Sequence, residues 1–208
     1  MTGAVLWDMD GTLVDSEEYH WLAWRDTMAA EGIPFTREYF LKTFGQRNDA
    51  ILPAEQVQRI GDAKEALYRK LVRDGGLLPL PGAAEWVTRL QQEGWLQAIA
   101  SSAPRANVEV VLDVIGLAGC FQAIVAAEDV TAGKPDPQVF LTAASRLGMP
   151  GSRCIVVEDA AAGIEAARRA GMRSIGVSRG ARLPADLAVR SLAELTEEAF
   201  RLADWSPR

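Results

Sequence analysis

The chain has 208 residues, a length that suits one sizeable hydrophobic core with a smaller second domain beside it. Hydrophobic residues make up 49% of it, but no apolar run approaches the roughly 20 residues that a membrane helix needs, so we expect no membrane partner. The net charge of −6 argues against a nucleic-acid partner, which would need a basic face. The two cysteines give no disulfide framework, and no basic region precedes the first apolar stretch, so we expect a cytoplasmic protein.

Short apolar runs alternate with longer helical patterns along most of the chain. The apolar runs predict strands at Ala4–Trp7, Leu96–Ala100, Ala123–Ala126, Cys154–Val157 and Ser174–Val177. The helical patterns cover Ala83–Glu93, Asn107–Ile115, Pro137–Leu147, Gly163–Ala170 and Leu192–Leu202. Such alternation predicts an α/β fold, a three-layer Rossmann-like parallel sheet with helices on both faces.

One long segment after the first strand interrupts this alternation. Its patterns predict a helix over Glu17–Glu31, a second that Thr36 caps, and a third over Ala54–Asp74 with an interruption at Gly61 and Asp62. We therefore predict an all-helical insert at residues 16–79. The core would then consist of residues 1–15 and 80–208.

Two carboxylates, Asp8 and Asp10, stand where the first predicted strand ends, and Gly11 follows them directly. An open α/β sheet binds its ligands at the carboxyl ends of its strands, so this is the edge where a site is expected. A simple turn explains the same residues equally well, because Asp and Gly both favour turns.

Polar residues also follow three other predicted strands. These are Ser101 and Ser102 after the second strand, Lys134 after the third, and Glu158 and Asp159 after the fourth. Each has an ordinary structural explanation, as a helix cap, a solvated loop charge or a pair at a helix N-terminus. Because all of them fall at one edge of the predicted sheet, together they favour a functional site.

Phosphoryl transfer is the chemistry that this set fits. Asp8 and Asp159 offer the oxygen ligands that Mg²⁺ prefers, while Ser101 and Lys134 can hold phosphate oxygens. Asp8 would attack the phosphorus, and Asp10 would exchange a proton with the leaving and entering oxygens. A carboxylate repels a phosphate by about 4 kcal/mol per charge pair at 4 Å and an effective dielectric of 20, so nearby cations are required.

These motifs resemble the haloacid dehalogenase-like superfamily, and more narrowly its β-phosphoglucomutase-like and phosphoglycolate-phosphatase-like branch with a helical cap. The resemblance covers essentially the whole chain. It is carried by the D-x-D-G-T-L-x-D motif at Asp8–Asp15, then by Ser101, Lys134 with Pro135, and Glu158 with Asp159.

The resemblance implies a role for each of these residues. Asp8 resembles the nucleophile, and Asp10 the general acid and base that true dehalogenases do not need. The implied Mg²⁺ ligands are the Asp8 side chain, the Asp10 backbone carbonyl, Asp159 and, directly or through a water, Glu158. The implied phosphoryl-binding groups are Ser101, the Ser102 backbone and Lys134.

Within the cap, His20 and Trp24 resemble residues of β-phosphoglucomutases that contact the acid/base loop and substrate. Arg47 resembles a specificity-loop residue that would meet a second anionic group, although the spacing departs by one residue from the mutase pattern. Lys64 resembles a cap lysine that reaches the substrate phosphate, and a solvated helix lysine is its alternative. Arg105 resembles a position that touches phosphate in some members only.

We therefore expect a Mg²⁺-dependent phosphatase for a small phosphorylated metabolite, a sugar phosphate or similar, acting as a monomer or weak dimer. A β-phosphoglucomutase-like phosphomutase is the close alternative, since water exclusion by the cap separates the two and a sequence does not display it. A non-catalytic phosphate-binding module is a third possibility. Loss of a catalytic residue would have favoured it, but the chain keeps all four of Asp8, Asp10, Lys134 and Asp159.

Overall fold

The computed structural model of the protein describes residues 3–201. Its elements in chain order are β1 (Ala4–Trp7), α1 (Glu17–Ala30), α2 (Arg37–Thr43), α3 (Asn48–Ile51), α4 (Ala54–Gly75), α5 (Ala83–Gln92), β2 (Leu96–Ala100), α6 (Arg105–Val114), β3 (Ala123–Val125), α7 (Gln138–Arg146), β4 (Cys154–Glu158), α8 (Ala161–Arg169), β5 (Arg173–Val177) and β6 (Leu187–Val189). Within this part of the chain, no helix is long and apolar enough to cross a membrane.

The six strands form one parallel sheet in the order β3-β2-β1-β4-β5-β6. Strand β1 lies in the middle, and its Val5 pairs with Gln97 of β2 on one side and with Ile155 of β4 on the other. The order of the strands therefore reverses at β1, which is the switch point where open α/β sheets bind ligands. The predicted Rossmann-like α/β class is confirmed. The sequence analysis missed β6, a half-buried edge strand of three residues.

Two apolar layers enclose the sheet. One packs β1 and β2 against α5 and α6 and includes Trp7, Val87 and Val111. The other packs the opposite face against α7 and α8 and includes Phe140 and Ala166. Because β1 is covered on both faces, all four of its residues are buried and the chain emerges from the core directly at Asp8.

Four helices, α1 to α4, lie between Val14 and Pro79, and these two residues form an antiparallel bridge where the chain leaves and re-enters the core. The domain limits 1–15, 16–79 and 80–208 stay a prediction. The predicted interruption at Gly61 and Asp62 is wrong, because α4 is continuous there. Gly61 is buried beside Asn48, so packing stabilises the helix at that point.

The predicted C-terminal helix Leu192–Leu202 is also wrong over its described part. The chain forms two 3₁₀ turns, Leu192–Glu194 and Glu197–Phe200, and Leu202 lies outside the described residues. The Leu192 carbonyl accepts a 3.0 Å hydrogen bond from the Trp86 indole. Both turns pack against Trp86 of α5, through this bond and through Phe200, and these contacts favour two short turns over one regular helix.

One buried polar contact joins the central strands, and we predict that stability depends on it. Gln97 is fully buried, and its Oε1 accepts a 2.9 Å bond from the indole N–H of Trp7. Gln97→Leu leaves that N–H without its partner, so we expect the free energy of unfolding to fall by about 1–3 kcal/mol in urea titrations. The exposed control Gln92→Leu should change it by less than about 0.5 kcal/mol, and equal effects of the two variants would contradict the prediction.

Candidate active site

A cavity of about 920 Å³ lies between the carboxyl edge of the sheet and the helical insert. Asp8, Ser101 and Lys134 line it from the sheet side, and Trp24 and Arg47 line it from the insert. The four predicted strand-end groups therefore meet in one place. They do so because β2, β1 and β4 are adjacent and parallel, so that their carboxyl ends meet at one edge of the sheet.

Three carboxylates, those of Asp8, Glu158 and Asp159, offer oxygens that lie within 4.8 Å of one another. The Lys134 ammonium donates to Asp8 Oδ1 at 2.6 Å and to Glu158 Oε2 at 2.7 Å. Asp8 is 7% exposed and Glu158 is 1% exposed, so water screens these charges little. One lysine thus faces three acidic groups in a nearly dry site.

The pKa values of the cluster reflect this imbalance. Burial, and then repulsion from Glu158, raises the pKa of Asp8 to about 8 against the opposing effect of Lys134. Burial and the charge of Asp8 raise the pKa of Asp159 to about 9. Burial lowers the pKa of Lys134, but its attraction to Asp8 and Glu158 outweighs that effect and raises it. A further cation at this place would favour the ionised carboxylates.

The donor set fits a hard divalent cation such as Mg²⁺, because it consists of carboxylate oxygens around one small volume. Two glycines make room for it. A Cβ atom on Gly11, whose φ is +87°, would lie 2.0 Å from Asp159 Oδ2. One on Gly163 would lie 2.1 Å from the Glu158 carboxyl carbon. Side chains at these positions would displace two of the three carboxylates.

The hydroxyl of Ser101 lies on the opposite side of the cavity, at the end of β2. Its Oγ accepts a 3.0 Å bond from the Ala103 N–H, so the hydroxyl proton remains free for a ligand. Ser101 is buried, while Ser102 is half-buried and also lines the cavity. Helix α6 begins nearby at Arg105, and its N-terminus adds a favourable environment for an anion.

Asp10 contacts groups of the insert. Its Oδ1 accepts a hydrogen bond from Ser16 and lies 3.6 Å from His20 Nε2. The Lys64 ammonium lies 2.9 Å from His20 Nδ1; an ammonium only donates, so Nδ1 accepts and Nε2 carries the proton that faces Asp10. Burial raises the pKa of Asp10, but the bonds from His20 and Ser16 outweigh it and lower the pKa.

All four predicted cap residues, His20, Trp24, Arg47 and Lys64, line the cavity. Trp24 and Lys64 are each 3% exposed, and the ammonium lies 5.2 Å from the indole centroid. The alternative of a solvated Lys64 is therefore wrong. His20 is stacked on Tyr68 with the ring centroids 4.0 Å apart.

The two arginines are held by protein groups. Arg47 lines the cavity, but it donates to the carbonyls of Ala127 and Val130. The guanidinium of Arg105 binds Asp129 at 2.5 Å and the Ile124 carbonyl at 3.1 Å.

Glu65 is a site residue that sequence reasoning missed. It is 6% exposed and accepts bonds from Asn48 at 2.8 Å, from Lys64 at 3.0 Å and from Asn107 at 2.5 Å. Asn107 belongs to core helix α6, so Glu65 joins the insert to the core. Only its place beside Lys64 hinted at a role, because its other partners are distant in sequence.

Comparison with known proteins fits this geometry. The family model for haloacid dehalogenase-like hydrolases matches residues 2–171. The chain belongs to the haloacid dehalogenase-like hydrolase family. It is 35% identical to β-phosphoglucomutase of Bacillus subtilis over 94% of this chain and 92% of the relative. It is 34% identical to hexitol phosphatase B of Escherichia coli over 93% of this chain and 94% of the relative.

Solved structures agree with this assignment. The crystal structure of CbbY from Rhodobacter sphaeroides in complex with phosphate superposes with a TM-score of 0.84 at 28% identity, covering 93% of this chain and 96% of that one. A β-phosphoglucomutase from Clostridium difficile gives a TM-score of 0.83 at 26% identity, over 96% of this chain and 95% of that one. The predicted membership of the β-phosphoglucomutase-like branch is confirmed, and the chain is an enzyme of this family.

Gly163 allows a direct test of the carboxylate cluster in this family member. Gly163→Ala is favourable for helix α8 itself, but the new Cβ displaces Glu158. We expect Mg²⁺ to bind about tenfold or more weakly, measured as the Mg²⁺ concentration that half-saturates the rise in melting temperature. Gly119→Ala is the matched control, since its Cβ meets nothing within 4 Å. Equal Mg²⁺ affinity in the two variants would argue against the site.

Proposed function

We propose that this protein is a Mg²⁺-dependent phosphatase that hydrolyses a small phosphorylated metabolite, a sugar phosphate or similar compound, through a phosphorylated Asp8. The observation that supports this most directly is the meeting of Asp8, Lys134 and Ser101 in one cavity with Asp10. The relatives named β-phosphoglucomutase, hexitol phosphatase B and fructose-1-phosphate phosphatase align with this chain over 185 to 211 residues. Their names all denote phosphoryl-transfer enzymes, which supports the proposal.

The proposed reaction has two displacements. An Asp8 carboxylate oxygen forms a bond to phosphorus while the bond from phosphorus to the ester oxygen breaks, and Asp10, which must be protonated before this step, gives that oxygen its proton. Water then attacks the phosphorus of phosphorylated Asp8, Asp10 takes the proton of the water, and the Asp8–phosphorus bond breaks. The hydrogen bond from Ser16 and the neighbouring His20, 3.6 Å away, orient the Asp10 carboxylate for both proton transfers.

Lys134 and Ser101 would hold the phosphoryl group, with the Ser102 backbone beside them. Lys134 bonds Asp8 and Glu158 in the substrate-free protein, so its positive charge is already placed beside the reacting oxygen. We propose Asp8, Glu158 and Asp159, with the Asp10 backbone carbonyl, as the residues that hold Mg²⁺. Mg²⁺, when bound, supplies charge neutralisation for the dianionic phosphate beside the carboxylates.

Phosphatase and mutase differ in what enters after Asp8 is phosphorylated. A mutase of this type passes through a sugar bisphosphate, whose second phosphate needs a cation in the far part of the cavity. The insert cations that line the cavity in the described chain are Arg47 and Lys64, and each is already bonded to protein groups, Lys64 in part to His20. This favours a substrate with one phosphate, and so the phosphatase.

We keep three further expectations from the sequence. They are a cytoplasmic location, a monomer or weak dimer, and no nucleic-acid or membrane partner. The natural substrate would be found by assaying a panel of phosphorylated sugars and other metabolites for phosphate release.

Replacing the nucleophile tests the central proposal. We expect Asp8→Asn to fold but to lose at least about 1000-fold in kcat for every phosphomonoester, since an amide does not form the intermediate. The measurement is Mg²⁺-dependent hydrolysis of an aryl phosphate. Activity of the wild type in this assay would also exclude a non-catalytic binding module. Exposed Asp62→Asn is the control and should keep full activity. Full activity of Asp8→Asn would refute the proposal.

A second experiment separates the phosphatase from the phosphomutase. The wild-type enzyme is given β-glucose 1-phosphate with a trace of β-glucose 1,6-bisphosphate, and both products are followed by NMR. We expect free phosphate, because each lysine and arginine that lines the cavity in residues 3–201 is already bonded to protein groups. Glucose 6-phosphate formed without phosphate release would instead establish the mutase.

A further inference from the structure

We propose that Arg47 is a positioning residue that fastens the helical insert to the core through the Ala127–Val130 loop, and that it does not bind an anionic group of the substrate. The proposal concerns the same cavity as the proposed function, and its kinetic test rests on that function. Its test by hydrogen–deuterium exchange is independent of the proposed function.

The contacts of Arg47 cross from the insert to the core. One terminal nitrogen donates to the Ala127 carbonyl at 3.1 Å and to the Val130 carbonyl at 3.1 Å, which uses both of its hydrogens. The other terminal nitrogen lies 3.3 Å from Asp49 Oδ2. The aliphatic stem passes over the loop that leads to Lys134, with Cδ 3.5 Å from a Cβ built on Gly133.

The acceptor loop is also held by hydrogen bonds that do not involve Arg47. Asp129 Oδ2 accepts bonds from the Ala126 N–H at 2.8 Å and from Arg105 at 2.5 Å, and Oδ1 accepts from Arg146 at 2.5 Å. The bond from Arg146, with further help from Ala126 and Arg105, lowers the pKa of Asp129 to about 2. The carbonyls that receive Arg47 are therefore held in place by a charged group that stays ionised at neutral pH.

The insert side of the contact leads directly to the Asp10 network. Asn48 follows Arg47 and donates to Glu65, which also accepts from Lys64. Lys64 in turn bonds the histidine that faces Asp10. Holding Arg47 against the core therefore fixes the position of the whole network, so its loss should change KM and kcat together.

The surroundings of Arg47 do not suit a second phosphate. Such a group would have to replace two carbonyl bonds that are already made, and it would approach the carboxylates of Asp49 and Glu128, which also line the cavity. Repulsion from these two charges would oppose any gain from the guanidinium. Arg47 thus holds the insert against the core for every substrate, whatever the charge of that substrate.

Hydrogen–deuterium exchange on the substrate-free protein tests the contact without any assay of turnover. In Arg47→Gln we expect amides of residues 46–52 and 126–131 to exchange about tenfold faster, because two bonds across the interface are lost. Arg59→Gln is the matched control, since Arg59 is an exposed insert arginine that pairs only within the insert, with Glu31. Unchanged exchange in Arg47→Gln, or the same change in both variants, would overturn the proposal.

Steady-state kinetics test the second half of the proposal. We expect Arg47→Gln to lower kcat/KM by the same factor, within about twofold, for an aryl phosphate, glucose 6-phosphate and glucose 1,6-bisphosphate. A loss confined to the bisphosphate would assign Arg47 to substrate binding and overturn the proposal. If the wild type hydrolyses none of the three, the proposed function fails and the exchange experiment still decides the role of Arg47.

A variant on the core side of the contact shows whether faster exchange in Arg47→Gln comes from loss of the contact or from a folding defect. Asp129 is not among the residues that line the cavity, and Asp129→Asn loosens the loop that receives Arg47 by weakening its bonds to Arg105 and Arg146. We expect Asp129→Asn to speed exchange over residues 46–52 as well, and the double variant to show little more than Arg47→Gln alone. Fully additive effects, or no effect on residues 46–52, would count against the contact.

Discussion

The excess of negative charge at the carboxyl ends of β1 and β4 is the constraint on which the rest of the site depends. Three buried or half-buried carboxylates share one volume with a single ammonium. The raised pKa values of Asp8 and Asp159 indicate that the protein holds these two carboxylates in the cluster at a cost. Gly11 and Gly163 are where the backbone leaves space for that arrangement. A structure selected for stability alone would have no reason to keep it, whereas a cation site and a nucleophile require it.

The insert adds a second group of charges to the first. Lys64 and Glu65 are buried as a pair, and Glu65 reaches Asn107 on the core helix α6. A buried pair of this kind gains little stability by itself, because desolvation of both charges offsets their attraction. Its value lies in geometry, since it sets the distance between the insert and Asp10. The groups that we propose to hold phosphate thus lie at the sheet edge, whereas Ser16 and His20, which contact the proposed acid and base Asp10, lie in the insert.

This division explains why relatives with phosphatase and mutase names share one fold and one set of strand-end residues. The chemistry that we propose at Asp8 would be common to both reactions, whereas the choice of water or sugar hydroxyl would depend on how the insert fits over the cavity. In this protein, the carbonyls of the Ala127–Val130 loop occupy Arg47, and Lys64 is occupied by its own network. The insert therefore closes on the core through protein contacts and leaves few charges for the substrate.

The sequence by itself determined five of the six described strands, the helical character of the insert and the sheet edge at which the polar groups meet. Alternation of apolar runs and helical patterns is a local property, and the polar groups at four strand ends meet wherever parallel strands lie side by side. Tertiary structure alone decided the roles of Arg47 and Glu65, because their partners lie 80 and 42 positions away along the chain. It also broke the predicted helix after Leu192 and kept α4 whole at Gly61, since burial against neighbouring elements outweighed local preference at both places.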